Sequence, residues 1–150
     1  MSYDEGLSRM AALCSVSEHC ESEIREKLLK AAVSDDDAQR IIDRLTDEGY
    51  LDSARYCRAF SRDKLRFSHW GRLKIQQALR AKGLPGDDIR EALNALDQEL
   101  GDDYAAILRS TLEQKNRTLR DADDYVRRGK LIRFAASRGF TMDEILDALD

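Results

Sequence analysis

The stretch ALRAKGLPGDDIREAL at residues 78–93 returns in outline as FAASRGFTMDEILDAL at residues 134–149. Each copy predicts a helix that ends at a basic residue and a glycine, followed by a bulky apolar residue, a capping segment and an acidic helix. A weaker third copy, LLKAAVSDDDAQRIIDRL, occupies residues 28–45. Small repeated units bury their apolar faces against their neighbours, and the array they form offers an extended surface to a partner.

Length and composition are typical of a charged, helix-rich protein. Of the 150 residues, 42% are hydrophobic, 36% are charged and only one is proline. The longest unbroken apolar run, residues 10–14, is too short for a signal peptide or a membrane span, so we expect a cytoplasmic protein that does not enter a membrane. Three cysteines without CxxC spacing favour reduced thiols over disulfides.

Apolar residues follow the helical period along the whole chain, and no segment alternates for long enough to predict a strand. The sequence therefore predicts an all-α fold, an elongated tandem array of three three-helix repeats with boundaries at residues 1–51, 52–100 and 101–150. Elongation is expected because three small units have no common centre. The nine predicted helices, with a loop over residues 116–123 between the seventh and eighth, are Asp4–Ser15, Glu21–Ala31, Asp36–Glu48, Ser53–Arg66, Gly71–Ala81, Asp87–Leu96, Asp103–Lys115, Asp124–Ser137 and Met142–Leu149.

Positive charge is concentrated in the middle of an acidic chain. The formal net charge is −4, yet residues 52–84 contain nine basic and two acidic side chains. The flanking segments, residues 1–51 and 85–150, are both acidic. Such a pattern carries information about partners rather than about the fold.

Basic residues form two rows in this middle segment. At 100° per residue, the four arginines of the first row lie within an arc of about 80° over roughly three helical turns. They are Arg55, Arg58, Arg62 and Arg66. The second row, in the next predicted helix, consists of Arg72, Gln76 and Arg80. Only four residues separate the two helices, so the rows are expected to share one surface.

Two interpretations fit these rows. In the first, guanidinium groups bind carboxylates or phosphates of a partner, whose geometry they match with paired hydrogen bonds. In the second, the arginines belong to a solvated face and pair with nearby acids. Asp52 and Asp63 are the only acids in this part of the sequence, and the excess of positive charge favours a binding face.

Aromatic residues of the same segment are interpreted as core. Tyr56, Phe60 and Phe67 lie on the side of the helix opposite the arginines, as core residues do. Binders of single-stranded nucleic acid instead present exposed rings for base stacking. Trp70, next to His69 at a helix junction, is the aromatic residue that we retain as a candidate contact.

The sequence does not predict catalysis, a metal site or a cofactor. Cys14, His19, Cys20 and Cys57 lack the paired spacing of a structural zinc site, and buried thiols with a surface histidine explain them better. Neither histidine accompanies a nucleophile motif, and no glycine-rich loop suits a phosphate. We expect a protein that is not an enzyme and acts by binding.

One family has the same motifs. Residues 49–56, GYLDSARY, with Phe60 after them, resemble the central G-Y-L-D-D-x-R-Y/F-x-x-x-F signature of RecX regulatory proteins. Residues 71–84 resemble that family's G-P-x-R-I-x-x-E-L-x-x-K-G-I, and residues 130–140 resemble its last repeat. The sequence departs from these patterns at Ser53, Arg72, Lys74, Ala78 and the pair Ala31–Ala32, which stands in place of Lys-Gly.

The resemblance extends from about residue 7 to the end of the chain. RecX proteins are bacterial modulators of the RecA recombinase, so it implies an array of three-helix repeats in the groove of a RecA filament on DNA. There it would inhibit ATP turnover, filament growth and strand exchange, with roles in DNA repair, DNA recombination and the SOS response. It further implies a monomer without cofactors whose partner is the filament, with weak direct binding of DNA in addition.

The predicted partner-binding residues combine the two rows with the lysine between them. They are Arg55, Arg58, Arg62, Arg66, Arg72, Lys74 and Arg80. Arg55 has an alternative role as a structural anchor paired with an acid such as Asp52. Two other functions stay open: a nucleic-acid-binding module of helix-turn-helix type, with helix 71–81 as its recognition helix, and a helical adaptor for another acidic protein.

Overall fold

The computed structural model describes residues 1–120 and 123–150, and within these ranges every regular element is a helix. The all-α prediction is confirmed. The helices are α1 (Tyr3–Val16), α2 (Glu21–Lys30), α3 (Asp35–Asp47), α4 (Ser53–Ser68), α5 (Arg72–Ala81), α6 (Gly86–Thr118), α7 (Asp124–Ser137) and α8 (Met142–Leu149).

Short polar side chains cap the N-termini of several of these helices. The Ser34 hydroxyl accepts a hydrogen bond from the backbone N–H of Asp37 at the start of α3, and the Asp52 carboxylate accepts one from Arg55 N–H at the start of α4. These contacts satisfy backbone N–H groups that have no partner within the helix. Where α3 ends, Gly49 adopts the left-handed conformation with φ of 81°, so the chain turns sharply towards α4.

The long helix α6 is the main departure from the predicted elements. Two separate helices, Asp87–Leu96 and Asp103–Lys115, were predicted; they follow each other directly within α6, where the backbone at Leu100 is non-helical (φ −126°, ψ 23°) and two helical segments meet at a kink. Gly101 directly follows this kink, so the interruption lies where the gap between the two predicted helices falls. The predicted loop 116–123 also begins too early, since α6 continues to Thr118; residues 121 and 122 lie outside the described residues.

Three three-helix units can be distinguished, and the kink of α6 divides the second from the third. We call them the first unit (α1–α3), the second unit (α4, α5 and the N-terminal half of α6) and the third unit (the C-terminal half of α6, α7 and α8). In the first unit α3 packs on α1 and α2, whereas α6 packs on α4 and α5 and then on α7 and α8. The second and third units are therefore joined through α6, with its kink at Leu100 between them.

Buried apolar residues form two clusters, not three. One lies within the first unit and includes Ile24, Leu28 and Ile41. The other extends through the second and third units, from Leu65 on α4 to Ile145 on α8. The accessible surface is 8966 Å², against roughly 7,700 Å² for a compact protein of this mass, so the array is elongated as predicted.

Within the described ranges, no helix combines the length and the apolar character that crossing a membrane requires. All three cysteines are free thiols.

Candidate functional site

The four arginines of the first row lie along α4, on the side away from its core residues. Tyr56, Cys57 and Leu65 are buried in the cluster shared by the second and third units. Arg62 and Arg66 are exposed, whereas Arg55 and Arg58 are half-buried. Helix geometry thus separates an apolar side from a basic side, as the sequence predicted.

Arg55 joins the first unit to the second. Its Nε donates to Glu18 Oε2 at 2.6 Å, and a terminal nitrogen donates to the backbone carbonyls of Gly49 at 3.1 Å and Tyr50 at 3.3 Å. The Asp52 carboxylate, the expected partner, is 4.0 Å away. The hydrogen bond to Glu18 raises the pKa of Arg55. These contacts suit an anchor between the two units.

Two further arginines of the row pair with acids of α6. Arg58 donates to both carboxylate oxygens of Glu91, at 3.0 and 3.1 Å. Arg66 lies 3.9 Å from Asp103, with both side chains about half exposed. Exposed pairs of this kind contribute little to stability, but they neutralise part of the positive charge that the row presents.

Arg72 belongs to a network that ties the second unit to the third. Its guanidinium donates to the Asp97 carboxylate on α6 and lies 3.5 Å from Glu144 of α8. Its backbone N–H donates to the Tyr104 hydroxyl, which in turn donates to Glu144 at 2.9 Å. The hydrogen bond to Asp97 raises the pKa of Arg72. Arg72, like Arg55, therefore has several partners within the chain.

The remaining predicted residues have no carboxylate within ion-pair distance in the described part of the chain. Arg62 and Arg80 are exposed, and Arg80 lines a groove between α5 and α6 together with Gln76 and Arg90. Lys74 lies with its Nζ 4.8 Å from the centre of the Trp70 ring. These three cations are the members of the predicted set that are open to a partner.

The aromatic residues are only partly as predicted. Tyr56 is buried and Phe60 is half-buried, with their rings stacked at 5.8 Å. Phe67 is 81% exposed, so its assignment to the core was wrong. It lies in the last turn of α4, just before His69 turns the chain with φ of 56°. Trp70, the retained contact, is half-buried against Phe60.

The thiols and histidines do not assemble into a site. Among the described residues, no three His, Cys, Asp or Glu side chains are placed to hold a metal ion. Burial raises the pKa of Cys57 to about 11, with a further contribution from Asp88, and burial also raises the pKa of Cys14. Thiols with a raised pKa remain protonated at neutral pH and are poor nucleophiles and ligands.

The acids that pair with the arginines come from other parts of the chain. The sequence around the arginines therefore did not reveal these pairs. Glu18 precedes α2, and Glu91, Asp97 and Asp103 lie on α6. Residues 52–84 themselves contain only two acids, Asp52 and Asp63. The signal that could have indicated these pairs is the spacing of acidic residues three or four positions apart in the α6 sequence.

Three family matches cover the chain in order. Residues 7–45 match the first three-helix domain of RecX, residues 52–93 match the second, and residues 102–149 match the third.

Named relatives agree with these matches. The regulatory protein RecX of Prosthecochloris aestuarii is 32% identical over 146 residues, which is 97% of this chain and 92% of the relative. That of Pelodictyon phaeoclathratiforme is 32% identical over 137 residues, 91% of this chain and 82% of the relative. A relative from Clostridium botulinum is 32% identical over 145 residues, and this chain spans 66% of its length.

Two solved structures have the same fold. The chain is similar to a crystal structure of a regulatory protein RecX, with a TM-score of 0.87 and 23% identity, covering 99% of this chain and 73% of the other. It is also similar to RecX from Lactobacillus salivarius, with a TM-score of 0.81 and 20% identity, covering 98% and 94%. Together with the three domain matches and the named relatives, the conclusion is that this chain belongs to the RecX family of regulatory proteins.

Proposed function

We propose that this RecX-family protein binds the filament of a RecA-type recombinase in its helical groove and inhibits ATP hydrolysis, filament growth and strand exchange. The observation that carries the proposal is the match of all three helical units, in order, to the three RecX domains. Cations of the second unit that are open to a partner suit attachment to a large, charged assembly. The protein acts as a monomer in the cytoplasm, needs no cofactor and performs no catalytic step of its own.

We further propose that the functional repeats are residues 1–51, 52–100 and 101–150. Of the seven predicted contact residues, Arg62, Lys74 and Arg80 bind the filament directly. Arg55 and Arg72 act mainly as anchors, because their guanidinium groups already have partners within the chain. Arg58 and Arg66 contribute only after exchanging their α6 partners for carboxylates of the filament.

The test is ATP hydrolysis by the cognate recombinase on single-stranded DNA, titrated with this chain. We expect concentration-dependent suppression that the double variant R62E/R80E weakens at least about tenfold, since reversing two exposed charges turns attraction into repulsion. The matched control R9E/K27E reverses two exposed charges in the first unit and should inhibit like the unchanged chain. Full ATP turnover at saturating unchanged chain would contradict the proposal.

Direct DNA binding is the measurement that separates the rival function. A helix-turn-helix-like module would bind a naked duplex tightly, and its affinity would fall steeply with salt because counterions are released from phosphates. Our proposal expects weak binding to naked DNA together with strong suppression of ATP turnover. Tight DNA binding without suppression would favour the nucleic-acid-binding module instead.

A further inference from the structure

Three lysines surround two aromatic rings on the second unit. The rings of Phe60 and Trp70 meet edge to face with centres 6.4 Å apart. Lys64 Nζ lies 4.6 Å from the centre of Trp70 and 5.5 Å from that of Phe60, Lys74 Nζ lies 4.8 Å from Trp70, and Lys82 Nζ lies 5.9 Å from Phe60. We call Phe60, Lys64, Trp70, Lys74 and Lys82 the lysine–aromatic patch.

The lysines of this patch form no ion pair within the described residues, unlike most of the predicted arginines. None of its three lysines has a carboxylate within 4.0 Å in the described residues, whereas Arg58 pairs with Glu91 and Arg72 with Asp97. The lysine stems are half-buried, so their ammonium groups are held near the rings instead of moving freely in solvent. Cation–π contacts at partly exposed sites are weak enough for an arriving anion to compete with them.

The geometry favours carboxylates over nucleic acid as the ligand. Base stacking needs a free ring face, but Lys64 and Lys74 both lie over Trp70, and Phe60 packs on Tyr56. Glu21 and Glu26 line the same groove as Lys82, so a polyanion that extended past the patch on that side would meet their carboxylates. A short acidic segment meets the three ammonium groups without reaching those carboxylates.

We propose that the lysine–aromatic patch is a docking site for a short acidic segment of a protein partner. The carboxylates of two or three adjacent Asp or Glu residues would pair with the ammonium groups of Lys64, Lys74 and Lys82, in place of the cation–π contacts that these groups make with the rings. The assignment of this segment to the recombinase filament rests on the proposed function. The affinity of the patch for carboxylates is independent of that function. Lys64 and Lys82 are outside the set of contact residues predicted from sequence.

The experiment uses Trp70 as its reporter, because it is the only tryptophan of the chain. The full chain is titrated with a hexaglutamate peptide, and separately with a hexathymidylate, at about 50 mM salt so that exposed charges are weakly screened. We expect the peptide to change the tryptophan emission in a saturable way. The variant K64Q/K74Q/K82Q should weaken peptide binding about tenfold, the size expected from losing three exposed charge contacts.

Two matched variants test whether the positive charge of the patch is the cause of peptide binding. The triple variant R9Q/K27Q/R117Q removes the same charge at three exposed positions outside the patch, and its affinity for the peptide should change less than about twofold. The charge-preserving variant K64R/K74R/K82R should retain binding within a few-fold. Circular dichroism of each variant verifies that its helices are intact before affinities are compared.

Three outcomes would overturn the proposal. They are the absence of saturable peptide binding, an equal loss of affinity in the two glutamine triples, and tighter binding of the hexathymidylate that the lysine triple removes. The last would assign the patch to nucleic acid. A chain that binds the peptide through the patch but does not suppress recombinase ATP turnover would refute the proposed function alone.

Discussion

The two junctions of this array are built differently although the units they connect share one fold. Between the first and second units the contacts are few: Arg55 pairs with Glu18, the Ser22 hydroxyl donates to the backbone carbonyl of Lys82 at 2.7 Å, and Cys20, just before α2, is buried in the apolar cluster of the second unit. Between the second and third units, one helix and one apolar cluster continue across the boundary. The first junction places only Cys20 of the first unit in that cluster, so it should open more readily than the second, where the whole cluster would be exposed.

Backbone hydrogen bonds between α5 and the turn after α7 also hold the second junction together. Gly71 N–H donates to the Arg138 carbonyl at 2.8 Å, and Leu73 N–H donates to the Gly139 carbonyl at 2.9 Å, so the turn after α7 caps the start of α5. A Cβ atom on Gly139 would lie 2.4 Å from that of Lys74. Two glycines thus allow the units to approach at backbone distance, and repeat architecture alone does not specify how rigid each junction is.

The largest effect is expected from Gly139→Ala. The added methyl group collides with Lys74, and φ of 99° is a conformation that alanine rarely adopts. Overpacking and backbone strain together should lower the free energy of unfolding by about 2–4 kcal/mol. Urea denaturation monitored by circular dichroism measures the change.

Gly83→Ala is the matched control for this prediction. Gly83 has φ of 82° at the end of α5, but no atom lies within 4 Å of a Cβ added there. Gly83→Ala should therefore lower the free energy of unfolding by about 1 kcal/mol, through backbone strain alone. Equal losses in the two variants would show that close packing of the second junction contributes nothing.

Tyr104→Phe tests the polar part of the second junction. The variant removes the hydroxyl that accepts from Arg72 N–H and donates to Glu144, while the ring can still pack edge to face on Phe140. Unpaired groups left in a half-buried site should lower the free energy of unfolding by about 1–3 kcal/mol. Tyr125→Phe, at a ring that is 86% exposed, should leave it unchanged in the same denaturation experiment.

Glu18→Gln tests the first junction and should have a smaller effect. Arg55 is 40% exposed and Glu18 30%, so loss of their ion pair should lower stability by no more than about 1 kcal/mol. Hydrogen exchange is the sharper measurement, because a loosened junction should speed exchange in α1–α3 and leave α6–α8 unchanged. Uniformly faster exchange along the whole chain would mean that the two junctions open together.

Much of this contrast lay beyond what the sequence could predict. Helical period, caps and turn glycines predicted the elements well, because they depend on neighbours within a few residues. The predicted break in α6 has its counterpart in the kink at Leu100, but the direct join of the two helical segments was missed, because Gly101 and the aspartates after it resemble a helix stop and a new start. Pairing of Arg58 with Glu91 was missed because the two residues are 33 positions apart and meet only in the folded chain. Exposure of Phe67 depends on where α4 ends relative to its partners, which periodicity does not specify.

The smallest expected effect lies inside the first unit, at the residue that replaces the repeat glycine. Ala32 adopts φ of 61°, the left-handed conformation that Gly83 and Gly139 adopt in the other two units. Ala32→Gly should relieve that strain, but the glycine also makes the unfolded chain more flexible, so the net gain should be only about 0.5 kcal/mol.

Because the first unit has its own core behind a yielding junction, this gain should be local. Hydrogen exchange should slow in α2 and α3 of the Ala32→Gly variant and remain unchanged in α6–α8. Ala31→Gly is the control: Ala31 has φ of −87°, so the substitution relieves no strain and should speed exchange in the same helices. Slower exchange in α7 and α8 of the Ala32→Gly variant would mean that the first unit is coupled to the third, against the contrast drawn between the two junctions.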